Sequence, residues 1–163
     1  MSGDVGKDFL AGGSGADTLD GGRNDDTLAG HSGADKLRGN HGNDSIDGAA
    51  GDDKIVGGDG DDTISGGSGN DGISAGDGDD FVIGDSGNDI IVGGDGDDNL
   101  LGVRGADTIL GEQGDDSING GSGGGMDSGF DGEGNDVPLF QIEVVLDSSF
   151  ELTQELMDQL DGI

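Results

Sequence analysis

Residues 57–65 read GGDGDDTIS, and the chain around them repeats that pattern every nine residues without a break in register. Thirteen consecutive copies begin at Gly3, Gly12, Gly21, Gly30, Gly39, Gly48, Gly57, Gly66, Ala75, Gly84, Gly93, Gly102 and Gly111. With each copy numbered 1 to 9, position 8 is always Leu, Ile or Val, from Leu10 through Ile64 to Ile118, between neighbours that are mostly polar. That pattern predicts a three-residue strand with one inward side chain. Position 4 is Gly in every copy except at Asn24, and Asn is the residue that best tolerates the left-handed backbone otherwise left to Gly.

Position 6 is aspartate throughout: Asp8, Asp17, Asp26, Asp35, Asp44, Asp53, Asp62, Asp71, Asp80, Asp89, Asp98, Asp107 and Asp116. Position 2 is looser, with Asp4, His31, Asn40, Ala49, Asp85, Val103 and Glu112 in place of Gly, as expected of a position that contributes only its carbonyl. Positions 3 and 5 vary widely and are expected to face water. A nine-residue period fits neither a helical heptad nor simple strand alternation. Stacking of short strand-turn units is what buries one apolar residue per copy. The expected fold is all-β, a parallel β-solenoid with position 8 side chains of two facing sheets filling a narrow interior. The aspartates and glycine turns then line each edge.

Composition points the same way. Only 29% of the 163 residues are hydrophobic and 3% aromatic, with 40 Gly and no Cys, so neither a conventional core nor disulfides hold the chain together. The formal charge of −31, from 37 acidic and 6 basic residues, makes nucleic acid and anionic membrane poor partners and cations good ones. No apolar run approaches the ~18 residues of a membrane span. The N-terminus shows no basic flank or apolar stretch of a cleaved signal. One apolar side chain in nine cannot offset the ordering of a Gly-rich backbone, and a ladder of carboxylates repels itself. A bound metal ion is the expected remedy.

The pattern GGxGxDxUx, with U a large apolar residue, resembles the RTX or haemolysin-type calcium-binding repeat, over residues 3–119 continuously. The resemblance implies a right-handed parallel β-roll with two nonapeptides per turn and Ca2+ shared between repeat n and repeat n+2. Carried onto this chain, one site takes the Asp62 carboxylate with the carbonyls of Gly58 and Gly60, and the Asp80 carboxylate with the carbonyls of Ala75 and Asp77. The same construction pairs Asp71 with Asp89 and Asp80 with Asp98. All-oxygen ligation suits a hard cation, and Ca2+ accepts it more flexibly than Mg2+. Thirteen repeats in two columns leave gaps for up to about 11 ions, which would bring the net charge to roughly −9. Binding and folding are then one coupled event. The resemblance further implies secretion, unfolded, through a bacterial type I machinery and folding outside the cell, directed by an uncleaved C-terminal signal.

After Asn119 the register breaks. A two-residue shift recovers SGGGMDSGF (122–130) and DGEGNDVPL (131–139), with Asp127 and Asp136 as candidate ligands. Position 8 is then Gly129 and Pro138, so residues 120–139 are expected to be degenerate repeats that end the roll. In residues 140–163, LFQIEVVL (139–146) places Phe140, Ile142, Val144 and Leu146 on one side and is expected to form a capping strand. Ser148 with Glu151 resembles a capping box. Leu152, Leu156, Met157, Leu160 and Ile163 then fall within one helical face, as in a type I secretion signal or a second cap.

Other chemistries find little support. His31 and His41 are isolated at turn positions, and there is no HExxH. The Gly-x-Gly strings lack the Lys-Ser/Thr of a phosphate loop. Asp59, Asp61 and Asp62 imitate an EF-hand loop without its closing Glu. No nucleophile, base and orienter appear together, so no enzyme activity is expected. Position 3 lacks the threonine lattice of an ice-binding solenoid. The rival reading is a calcium-stiffened spacer or adhesin segment. Outward apolar residues Phe81, Ile83, Ile90, Val92, Leu101 and Leu110 fit ordinary strand propensity, or a docking face for the tail or a partner.

Overall fold

The computed structural model describes residues 1–122 and, beyond them, the backbone of strands at 128–130, 137–138 and 144–146. In chain order the strands are β1 (Ser2–Val5), β2 (Phe9–Ser14), β3 (Thr18–Arg23), β4 (Thr27–Ser32), β5 (Lys36–His41), β6 (Ser45–Ala50), β7 (Lys54–Asp59), β8 (Thr63–Ser68), β9 (Gly72–Asp77), β10 (Phe81–Ser86), β11 (Ile90–Asp95), β12 (Asn99–Arg104), β13 (Thr108–Gln113), β14 (Ser117–Asn119), β15 (Ser128–Phe130), β16 (Val137–Pro138) and β17 (Val144–Leu146). Odd strands form one nine-stranded sheet and even strands an eight-stranded sheet. Every pairing is parallel, and within the array partners are 18 residues apart, as in Leu37 with Ile55 and Val82 with Leu100. Two nonapeptides therefore make one turn of a parallel β-solenoid. No helix among the described residues is long and apolar enough to cross a membrane.

The thirteen position 8 residues are the core, each at most 2% exposed. Leu19, Leu37, Ile55, Ile73, Ile91 and Ile109 come from one sheet, and Leu10, Leu28, Ile46, Ile64, Val82, Leu100 and Ile118 from the other. The strands, however, are not three residues long. From β2 to β13 each runs for six residues, from position 7 of one copy to position 3 of the next. Alternation then brings position 1 inward as well, and Gly21, Gly57 and Gly93 are buried there. A hydrophobic count misses this row because glycine carries no side chain to count.

Position 2 carries a backbone constraint that the variety of its side chains hides: it is left-handed. Asp4, His31, Asn40, Ala49, Asp85, Val103 and Glu112 all have φ between 72° and 80°, as does Asn24 at position 4 with φ 76°. Asn24 therefore stands where glycine was expected to supply this conformation, and Val103 stands where a β-branched residue is strained.

The pairing beyond Asn119 carries the two-residue shift: Thr108 pairs with Ser128, and Ile118 with Pro138. The degenerate copies do not end the roll. Strands β15 and β16 extend both sheets, and β17 adds a further strand beside β15. In that last strand Val145 pairs with Gly129, which pairs with Ile109. Val145 thus stands in backbone register with the row of position 8. The remainder of that stretch, Phe140 and Ile142 included, and the helix expected after Ser148 lie outside the described residues.

Replacing Val103 by Gly should stabilise the folded roll by about 1–2 kcal/mol, the usual cost of a left-handed L-residue. Thermal unfolding in saturating Ca2+ measures it; an unchanged or lower midpoint would contradict the strain.

Candidate metal centre

The position 6 aspartates arise immediately before each strand and point inward beneath the turn. From Asp26 to Asp116 they are 1–3% exposed, as buried as the leucines of the core. They fall into two columns, one per edge, because consecutive copies alternate between edges. From Asp26 onward each Oδ1 accepts the main-chain N–H of the aspartate one turn earlier: Asp44 N–H donates to Asp62 at 2.7 Å and Asp62 N–H to Asp80 at 2.7 Å. On the other edge Asp53 donates to Asp71 at 2.8 Å and Asp71 to Asp89 at 2.9 Å.

The second oxygen has no such donor. From Asp8 to Asp98 every Oδ2 is buried and accepts no hydrogen bond. What lies near it is a further oxygen. At Gly66 the point a Cβ would occupy is 2.6 Å from Asp71 Oδ2 and 3.0 Å from the Gly84 carbonyl oxygen, and at Gly48 the same point is 2.5 Å from Asp53 Oδ2 and 2.6 Å from the Gly66 carbonyl. Gly57 brings Asp62 Oδ2 and the Ala75 carbonyl together in the same way. A buried anionic oxygen facing a carbonyl oxygen, with no donor between them, is unfavourable without a cation. The inward glycine at position 1 leaves room for both oxygens. The residues present thus fit a hard cation.

The remaining expected ligands lie in the same turns. Gly60 N–H donates to the Asp77 carbonyl at 2.7 Å, which ties the turn of one copy to the copy above. The Gly60 carbonyl faces the α-carbon of Gly78 and the Gly58 carbonyl that of Gly76. Asp107 and Asp116 are buried in the same two columns. Asp127 and Asp136 lie outside the described residues. No group of three or more His, Cys, Asp or Glu side chains placed to hold a metal ion occurs among the described residues.

One arrangement escaped the sequence reading. Position 5 is exposed, but its side chains form a second ladder running in the opposite sense. Asp79 N–H donates to Asp61 Oδ1 at 3.2 Å and Asp97 N–H to Asp79 Oδ1 at 3.0 Å. Asn70 N–H donates to Asp52 and Asn88 N–H to Asn70, both at 2.8 Å. The recurrence of Asp and Asn at that position was the available signal. The histidines are surface residues, and His41 Nδ1 lies 2.7 Å from Asp59.

Electrostatics follow from the burial. Desolvation raises the carboxyls of Asp62, Asp80, Asp89 and Asp98 to about 7 and those of Asp53 and Asp71 to about 6. The N–H bond from the preceding turn pulls each one down, and neighbouring carboxylates push it up again. A carboxylate that resists ionisation without a counter-charge is what a cation site looks like with protons in its place.

An all-β repeat solenoid with an oxygen column on each edge is the class this geometry defines. A family model described as the RTX calcium-binding nonapeptide repeat matches residues 2–37, 20–55, 38–73, 56–91, 71–100 and 92–126, and the chain belongs to that family. No curated protein matches the chain. The repeats are calcium-binding, and the chain is a calcium-binding repeat module.

The raised carboxyls set the pH dependence. Without metal the folded roll binds more protons than the unfolded chain between about pH 4 and 7. Its stability is then greatest below about pH 4 and is lost as pH rises through 7. Far-UV circular dichroism in chelator should show more β signal at pH 4 than at pH 8. With Ca2+ present the trend reverses, since protons compete with the cation. A β signal in chelator that falls on acidification would contradict this assignment.

Proposed function

We infer that the chain folds on binding extracellular Ca2+ and so supports type I secretion and subsequent folding of a secreted bacterial protein. The observation that carries this reading is the column of buried Oδ2 atoms without donors. In the proposed site between two turns, Asp62 and Asp80 supply carboxylates, and Gly58, Gly60, Ala75 and Asp77 supply carbonyls. The other position 6 aspartates repeat it along both edges. Eleven N–H to Oδ1 bonds bridge successive turns, and up to about 11 ions are proposed, one per bridged gap. When bound, Ca2+ supplies the positive charge that these oxygens lack. The chain's own part is to bring them together, exclude water and hold the backbone in place.

Extracellular sites bind at about 10⁻⁴ to 10⁻³ M Ca2+, well above cytosolic levels. The chain therefore stays unfolded inside the cell, as passage through a secretion channel demands, and folds outside.

A calcium titration from chelator, read by far-UV circular dichroism with Mg2+ as control, should give a steep and calcium-selective gain of β signal. A folded spectrum in chelator at neutral pH would overturn the coupling. Asp62→Ala removes a carboxylate shared by two sites and leaves the buried Asp44 N–H without its acceptor, at a cost of about 1–3 kcal/mol, whereas Asp8 at the open end accepts no such bond. The calcium midpoint should rise several-fold for Asp62→Ala and little for Asp8→Ala. Equal midpoints would sink the shared-site arrangement.

A further inference from the structure

The two sheets have unlike outer faces. In the eight-stranded sheet the outward residues remain accessible: Phe81 is 38% exposed, and Ile83 and Leu101 are half-buried. In the nine-stranded sheet the corresponding outward rows close over toward the C-terminal end. Thr18 and Lys36 are exposed and Lys54 is half-buried, but Ile90 is 8% exposed; in the next row Val92 is 8% and Leu110 4% exposed. Gly72, beside Ile90 in the pairing, is buried too. Outward side chains on a sheet face reach such values only under a cover. Residues 1–122 are wholly accounted for by the two sheets and their edge turns.

We propose that the chain's own C-terminal segment, residues 147–163, docks across this face over β9, β11 and β13. The path of the chain favours it. Strand β17 is the terminal strand of this same sheet, so the segment departs from the covered side. The stretches 123–127, 131–136 and 139–143 are short links between paired strands, whereas 147–163 is a longer stretch that follows β17. Read as a helix, it spans about 25 Å, and β17 to β9 is four strand spacings, roughly 19 Å.

The chemistry matches as well. Leu152, Leu156, Met157, Leu160 and Ile163 supply an apolar stripe for Ile90, Val92 and Leu110. The face exists only once the strands are stacked, so the latch forms after the roll. It stands on the fold and not on the secretion reading.

The absence of cysteine makes the test direct. Single Val92→Cys and Leu101→Cys variants of the full chain are labelled with a maleimide in saturating Ca2+, with the β signal checked by circular dichroism. Val92→Cys should react at least tenfold more slowly than Leu101→Cys. Adding Leu156→Asp and Leu160→Asp should bring it to within about threefold of Leu101→Cys, whose own rate stays unchanged. Equal rates in the two parent variants would overturn the proposal. Protection at residue 92 that survives the tail substitutions would also overturn it, and if that protection vanished on dilution the cover would be a second copy of the chain.

Discussion

The structure turns on an aspartate oxygen that is buried with nothing to donate to it, recurring every nine residues along the chain and every 18 along each edge. Carboxylates with so little exposure are seldom found unless paired. Here the oxygen shares the space beside an inward glycine with a carbonyl oxygen, as at Gly66 with Asp71 and Gly84. The other requirements of the repeat follow. Position 1 must be small to leave the two oxygens room, positions 2 and 4 take up the left-handed backbone of the turn, and a cation makes the arrangement favourable. The leucine and isoleucine row inside is too thin to impose this geometry; it fills the space the turns leave.

Each turn is fastened in both directions. The position 6 carboxylates accept from the turn before, as Asp62 does from Asp44, and the position 5 side chains accept from the turn after, as Asp61 does from Asp79. Contacts are thus confined to nearest neighbours, and stability accrues turn by turn as in other one-dimensional repeats. The first turn lacks a predecessor, and Asp8 and Asp17 are accordingly less buried than the aspartates from Asp26 onward.

Periodicity made most of this legible. The row from Leu10 to Ile118 and the aspartate column could be read directly, because their positions tolerate almost no variation within the chain. The sequence was less informative where backbone takes over from side chain. The six-residue strands were hidden by inward glycines such as Gly57, and the left-handed position 2 by the variety of residues there, Val103 and Glu112 among them. Beyond Asn119 the shift of two residues was readable from Asp127 and Asp136. The persistence of the strands was not, because Gly129 and Pro138 sit where Ile109 and Ile118 sit below. The unlike outer faces depend on which sheet a residue joins, and a nine-residue pattern treats Ile83 and Val92 alike.

The position 5 ladder also bears on how the chain finds its alignment. Thirteen near-identical copies invite slippage, and a flat repetitive strand is where register is weakest. The two edges differ, however. One carries Asp25, Asn43, Asp61, Asp79 and Asp97 in succession, while the other begins with Ala16 and Ala34, which have no side-chain acceptor, before Asp52, Asn70 and Asn88. A half-turn slip of nine residues would interleave these columns, stranding N–H groups over alanine and interrupting the acceptor series. Only whole-turn slips keep each column intact, and those leave an unpaired turn hanging from one end. The imperfection of the repeat thus acts as a phase marker that narrows the misfolded alternatives to ones the ends can reject.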